Sequence, residues 1–389
     1  MTKSGIEPAA RVSTVEEYYL QRKLKEVAAL NAKGLDIVSL GIGGPDRMPP
    51  TAAVDTLCDA AHRPDTHGYQ LTVGIPELRE AFASFYKKHY GVTLDSATEI
   101  LPLIGSKEGI LHVSMAFLNP GDGVLVPNPG YPTYTSVSRL LGAEIYPYSL
   151  TAANGWYPDF DALEKLPLHR IKLMWVNYPH MPTGTQANDE LFARIVDFGR
   201  RHGIVIVHDN PYSFILNDTP RSILAVPGAA EVAIEMNSLS KSHNMAGWRM
   251  GMLASNPTFI KWVLKIKSNV DSGQFKPAML GAVEALQQGD DWFAELNGEY
   301  ARRRLVAEKI MHALGCTFDA EQRGLFLWGR IPDSIAGSEA FADHLLDKAR
   351  VFITPGSIFG TNGDRYIRIS LCATAERLEE ALRRVQNLK

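Results

Sequence analysis

The sequence predicts an α/β protein: a large domain on a doubly wound, mostly parallel sheet, with a smaller α+β domain beside it. Three observations carry that expectation. Between about residue 95 and residue 256, short apolar runs alternate with stretches of helical spacing. The runs are apolar throughout rather than alternating, as strands covered on both faces are. Several of them end in glycine or polar residues, and open α/β sheets bind ligands at the carboxyl ends of their strands.

Taken in order, strands are expected at 100–104, 123–126, 171–176, 204–207 and 250–253. Gly105-Ser106-Lys107-Glu108 follows the first, Asn177 the third and His208-Asp209 the fourth. Between the third and fourth, Leu191, Ile195, Val196 and Phe198 fall on one helical face. Beyond residue 280 the pattern changes. A long helical stretch over about 281–313 leads into runs at 324–328 and 366–371, separated by a helix, and a terminal amphipathic helix follows. The expected division is a large domain over 48–280 and a small one from 1–47 with 281–389. No period of 20–50 residues repeats, which excludes solenoids and propellers.

Composition narrows the function. Lys+Arg is 40 and Asp+Glu is 43, a net charge of −3, so no basic surplus invites nucleic acid or an anionic membrane. The densest basic run, Arg302-Arg303-Arg304, reads as a solvated helix face. No apolar run approaches the ~18 residues that cross a bilayer. The segment MTKSGIEPAARVST has no apolar leader core. Cys58, Cys316 and Cys372 form no CxxC pair, which points to a reduced, cytoplasmic setting without structural zinc or another metal.

Four segments carry chemistry. In Ser238-Leu239-Ser240-Lys241, a lysine follows an apolar stretch and precedes the glycine-flanked Arg249. Burial and neighbouring cations free such an amine for Schiff-base formation. Ser238, Ser240 and Arg249 offer two hydroxyls and a guanidinium to an oxyanion. Gly105-Ser106-Lys107 opens a helix after a strand, where backbone N–H groups bind phosphate. Asp209, in His208-Asp209-Asn210-Pro211-Tyr212, is either an ordinary N-cap or a buried carboxylate with a task. Arg368 lies inside an apolar strand, as a structural ion pair or as a bidentate clamp for a carboxylate.

Together these segments resemble the class I/II aminotransferases of the aspartate aminotransferase superfamily, the fold-type-I enzymes that use pyridoxal 5′-phosphate (PLP). The stretch from Ser238 to Gly251 is similar to that family's SxSK(x)nGxRxG signature, and the resemblance spans about residues 35–385. It implies that Lys241 carries the cofactor and moves the Cα proton, and that Ser238, Ser240 and Arg249 hold its phosphate. Gly105, Ser106 and Lys107 correspond to the phosphate cup, as backbone donors. Tyr131 matches the aromatic that stacks on the pyridine ring, Asp209 the partner of its nitrogen, and Tyr212 the donor to its phenolic oxygen. Arg368 and Gly43 match the grip on the substrate α-carboxylate. Tyr69 matches the tyrosine that reaches the neighbouring subunit's cofactor, which implies a homodimer. Tyr18, Tyr19, Phe275 and Lys276 fall near the entrance by the same resemblance.

The implied activity is transfer of an amino group between an L-amino acid and a 2-oxo acid, in amino-acid metabolism, with small molecules as the only other partners. Two departures stand out. Asn210 replaces a usual Glu, and Met181 occupies an Asn position in Asn177-Tyr178-Pro179-His180-Met181-Pro182-Thr183-Gly184. A thioether donates no hydrogen bond. A PLP-dependent lyase, decarboxylase or oxidase therefore stays in view, since fold does not fix reaction. A PLP-binding sensor is a weaker competitor, because no helix-turn-helix segment accompanies the chain.

Overall fold

The computed structural model describes residues 5–388; residues 1–4 and 389, the outer ends of the expected small domain, lie outside the described residues. Seven strands form the large sheet: β1 (Ile100–Ile104), β2 (Gly123–Asn128), β3 (Glu144–Ser149), β4 (Ile171–Val176), β5 (Val205–Asp209), β6 (Ala233–Ser238) and β7 (Met250–Ala254). Their order is β1-β7-β6-β5-β4-β2-β3. Only β7 runs antiparallel to its neighbours. Two of these strands were not anticipated. β3 is an edge strand, largely solvated and interrupted by Pro147, which an edge tolerates. β6 is buried along its whole length yet holds Glu235, Asn237 and Ser238, polar residues that hide its strand character.

The helices close the sheet as the apolar spacing predicts. Asp189–His202 buries Leu191, Ile195, Val196 and Phe198; the Asn188 side chain caps its start and Gly203 ends it at φ +64°. Inside, Tyr134 stacks on Trp175 with ring centroids 4.8 Å apart. The expected long helix is two helices, Lys276–Leu286 and Asp290–Ala313. Gly289 breaks them, and Asp290 and Asp291 then favour a new N-terminus by facing the helix dipole. Residue 280 lies within the first of the two, which packs so closely on Thr51–Ala61 that a Cβ on Gly281 would meet the Ala53 carbonyl at 2.7 Å.

A second sheet comprises β8 (Thr317–Phe318), β9 (Phe326–Arg330), β10 (Thr354–Pro355) and β11 (Tyr366–Ser370), antiparallel in the order β10-β11-β9-β8. The chain's beginning joins it. Val38–Ser39 pairs with Val351–Phe352, and the Ser370 N–H donates to the Leu40 carbonyl at 2.8 Å. Among the described residues, no helix is long and apolar enough to cross a membrane.

The basic run at 302–304 departs from a solvated face. Arg302 is exposed, but Arg303 is buried and forks onto both oxygens of Asp46 at 2.7 and 2.9 Å. It also reaches Glu299 at 2.8 Å and the Leu371 carbonyl at 3.1 Å, so one guanidinium ties the N-terminal segment to the second sheet. Removing one partner of such a pair strands the other's charge. Arg303→Ala should therefore destabilise the protein by about 3–5 kcal/mol, read as a lowered Tm in thermal unfolding; an unchanged Tm would contradict the tie.

Candidate active site

A cavity of about 370 Å³ lies where the carboxyl ends of the central strands meet the second sheet and the segment around Gly43. Every residue expected to act on the cofactor or the substrate carboxylate lines it except Gly105 and Tyr69. Gly105 stands just behind, at φ +73°, and a Cβ there would fall 2.2 Å from the Arg249 guanidinium. Tyr69 is 95% exposed, outside the cavity of its own chain.

Lys241 sits on the one-turn helix Leu239–Ser242, where the Ser240 N–H donates to the Ser238 hydroxyl at 3.1 Å. The turn is fixed from outside by Trp292 Nε1, which donates to the Ser242 carbonyl at 2.9 Å, and by Asn244 Nδ2, which donates to that of Met48 at 3.1 Å. Lys241 Nζ donates to the Gly43 carbonyl at 2.5 Å. Gly43 must lack a side chain, because a Cβ would stand 2.3 Å from the Phe326 ring. Burial lowers the lysine's pKa below its ordinary value; Cys372 opposes that shift, and Arg368 and Arg249 reinforce it.

One end of the cavity is built for an anion. Ser106 begins the helix Ser106–Phe117, the Ser238 hydroxyl donates to that of Ser240 at 2.9 Å, and Arg249 holds the Ala246 carbonyl at 2.8 Å. A Cβ on Gly251 would lie 2.9 Å from the Ser106 nitrogen, so the strand approaches the helix start only through glycine. Behind it, Glu108, His112 and Asp271 have the spacing of metal ligands, but the buried Lys267 ammonium is ion-paired with both carboxylates. Lys107 turns its side chain into the cavity, its Nζ 5.0 Å from the Tyr18 ring centre. Burial and the Arg249 charge lower its pKa.

Asp209 closes β5. Its Oδ2 accepts from the Tyr134 hydroxyl at 2.8 Å, and its buried Oδ1 has no partner. Burial pushes its carboxyl up to about 6, against the Tyr134 hydrogen bond and the nearby His208. Arg368, 3% exposed on β11, lies between the rings of Phe326 (3.8 Å) and Phe359 (4.7 Å). It donates to the Gly41 carbonyl at 2.9 Å and to Met181 Sδ at 3.2 Å, while Nε is unpartnered. Neither Arg249 nor Arg368 has a carboxylate partner among the described residues, so the ion-pair reading of Arg368 fails. Tyr212 packs its ring on Phe326, 5.8 Å between centres.

Tyr134, three residues beyond Tyr131, was not expected at the site. Nor were Phe326 and Phe359, which look like ordinary core residues until Arg368 is seen between them. Of the four residues expected at the entrance, only Tyr18 lines the cavity. Tyr19 is set among Lys23, Asp343 and Glu339, Phe275 is exposed, and Lys276 pairs with Asp65 at 3.6 Å. Near Met181, Asn177 donates to the Asp209 carbonyl at 2.5 Å and accepts from the Met181 N–H at 2.7 Å. Both ends of its amide are thus engaged in bracing the backbone.

A half-buried amine, an anion-binding end and an unpartnered carboxylate oxygen suit a ligand that joins a carbonyl, a phosphate and a basic ring nitrogen, as PLP does. The comparisons agree with that chemistry. A family model for class I and II aminotransferases matches residues 36–385. The LL-diaminopimelate aminotransferase of Dehalococcoides mccartyi is 41% identical over 381 residues, covering 97% of this chain and 98% of its own. That of Moorella thermoacetica is 40% identical over 385 residues, covering 98% of each. The apo structure of BacF from Bacillus subtilis is 36% identical and covers 98% of both chains with a TM-score of 0.94. The two LL-diaminopimelate aminotransferases carry amino-transfer names, as does the family model, which sets aside the lyase, decarboxylase, oxidase and sensor readings. The chain belongs to the class I and II aminotransferases and is a PLP-dependent enzyme that moves an amino group between an amino acid and a 2-oxo acid.

Proposed function

We propose that the enzyme works as a cytoplasmic homodimer, with LL-diaminopimelate as its amino donor and 2-oxoglutarate as the first acceptor to test. The observation that carries the site assignment is the half-buried Lys241 amine, held at Gly43 in a cavity whose two guanidiniums have no carboxylate partner among the described residues. The donor follows the name shared by relatives at about 40% identity over nearly the whole chain. Lys107, a further cation lining the cavity, suits a second carboxylate on such a donor. Three free cysteines accord with a reducing compartment.

The residues divide the work by their chemistry. The Ser106 backbone N–H, the hydroxyls of Ser238 and Ser240, and Arg249 would hold the cofactor's phosphate, with Gly105 and Lys107 shaping the turn. Tyr131 would cover the ring, Asp209 Oδ1 would accept from the ring nitrogen, and Tyr212 would donate to the phenolic oxygen. When bound, PLP supplies an electron sink for the pair released at the substrate Cα. Lys241 would take the proton from the substrate Cα and return it to the carbon through which the cofactor is joined to the amino group; its lowered pKa favours the neutral amine that this requires. Arg368, beside Gly43, fixes the α-carboxylate so that the Cα–H bond faces Lys241.

A panel of amino donors with 2-oxoglutarate tests the substrate, read beside Arg368→Ala. LL-diaminopimelate should give the highest kcat/KM. The variant should lose the equivalent of about 2–5 kcal/mol toward amino acids, as truncating one member of a desolvated charge pair does, with a smaller loss toward the corresponding amines. Equal losses for both would remove Arg368 from the carboxylate.

The dimer rests on exposed apolar residues at neighbouring loops. Tyr69, Leu71, Val270 and Phe275 are all more than half exposed, and Gly273 touches Gln70. If Tyr69 completes the partner's site, Tyr69→Ala and Lys241→Ala homodimers should each be impaired. Subunit exchange should restore activity, because one site of the mixed dimer is intact; no restoration would place Tyr69 outside the partner's site.

Asn177 is committed to the backbone and thioethers do not donate, so the phenolic oxygen has one donor fewer than the family pattern supplies. A new donor favours the ionised form and lowers the pKa. Met181→Asn should therefore move the holoenzyme's absorbance titration to lower pH, and an unmoved titration would show that oxygen already satisfied.

A further inference from the structure

The two residues flanking Asp209 both hydrogen-bond a carboxylate that the reaction does not use. Glu235, on β6 opposite His208 in register, is fully buried. Its Oε2 accepts from His208 Nδ1 at 2.8 Å, the Ser222 hydroxyl at 2.9 Å and the Ile223 N–H at 2.9 Å. Its Oε1 accepts from the Tyr86 hydroxyl at 2.7 Å and from Asn210 Nδ2 at 3.4 Å. The far nitrogen of His208 lies 2.9 Å from the Tyr178 carbonyl. Asn210 is tied further, through its side chain to the Arg221 carbonyl at 3.0 Å and through its N–H to that of Met236 at 2.8 Å.

A core can be filled with apolar side chains at no loss of stability, so a buried carboxylate serviced by five donors asks for another reason. Its donors come from β5, from the helix Pro76–Tyr90 and from the turn at 222–223, and they converge beneath the floor of the cavity. Two of them are the chain neighbours of the one residue there with an unpartnered carboxylate oxygen. We propose that Glu235 is a positioning residue for Asp209: by gripping His208 and Asn210 it locks the end of β5, so that Asp209 Oδ1 stays fixed for the ring nitrogen of the cofactor. The inference rests on the reading of Asp209 given above. His208 adds an electrostatic contribution, since it opposes the protonation of Asp209 that burial favours.

The test uses holoenzyme reconstituted with PLP carrying 15N in its ring, whose NMR signal distinguishes pyridinium from neutral pyridine, together with kcat, KM and Tm. Asp209→Asn is the reference and should move the signal toward neutral pyridine. Glu235→Gln, nearly isosteric, should move it the same way and lower kcat about 10- to 100-fold with KM little changed, the cost usual for outer-shell partners at metal sites. A Glu235→Gln holoenzyme with wild-type signal and kcat overturns the proposal, even if its Tm falls, because Glu235 is then structural only. If Asp209→Asn leaves the signal in place, the Asp209 reading falls and the proposal with it. Should Glu235→Gln not fold, His208→Gln carries the same test: movement of the signal supports the positioning role and its absence overturns it.

Discussion

Positive charge without a protein counter-charge governs this molecule. Lys241, half-buried, Arg249, exposed, and Arg368, buried, converge on one cavity, and among the described residues neither guanidinium has a carboxylate partner. An unpaired buried charge is costly, and the structure lowers that cost with what does not neutralise it: backbone carbonyls, two aromatic faces and a thioether. Burial presses on two of the three, bringing Arg368 down to about 10 and lowering Lys241 as well. The remaining demand for negative charge is met only by ligands. Anionic ligand groups are what such a cavity stabilises, and their binding returns part of what folding spent.

The frame keeps those charges apart and oriented by close approach of backbone. Gly43 lies against Phe326, Gly105 against Arg249, and Gly251 against the first N–H of the phosphate-side helix. A methyl group at any of the three would displace a group of the site. The second sheet contributes Arg368, and the N-terminal segment contributes Gly41 and Gly43 as acceptors. The Arg303–Asp46 fork therefore serves the site as well as the fold, because it holds the segment on which both carbonyls ride.

Much of this was legible in the sequence, for physical reasons that also explain the omissions. Five strands announced themselves as apolar runs, and the polar residues after them marked the site. β6 was hidden because Glu235 and Asn237 break its apolar pattern; their hydrogen-bond partners lie far away along the chain and no local rule reveals them. The Gly289 break was visible as a glycine followed by two acids, yet a periodic stretch on either side read as one helix. Arg303 looked like its neighbour Arg302 because burial of one residue in a basic run depends on Asp46, distant in sequence. Lys241, Asp209 and Arg368 were legible through motif context, whereas Tyr134, Phe326 and Phe359 needed coordinates, since aromatic residues in apolar surroundings are ordinarily core.

Met181 shows how a departure from the family pattern is absorbed. An asparagine at that position would bring a carbonyl oxygen and an amide donor to the space beside Arg368. The thioether brings neither; it touches one guanidinium nitrogen as a weak acceptor and fills volume. Backbone bracing in the same loop is already performed by Asn177, which spans from the Met181 N–H to the Asp209 carbonyl. The loop therefore keeps its shape without an amide at 181. Arg368, held by a soft contact rather than a strong acceptor, keeps more of its hydrogen-bonding capacity free. In the proposed role, the residue that withholds a donor from the cofactor side would thus leave the clamp on the substrate side less satisfied, and more demanding of an anion, before substrate arrives.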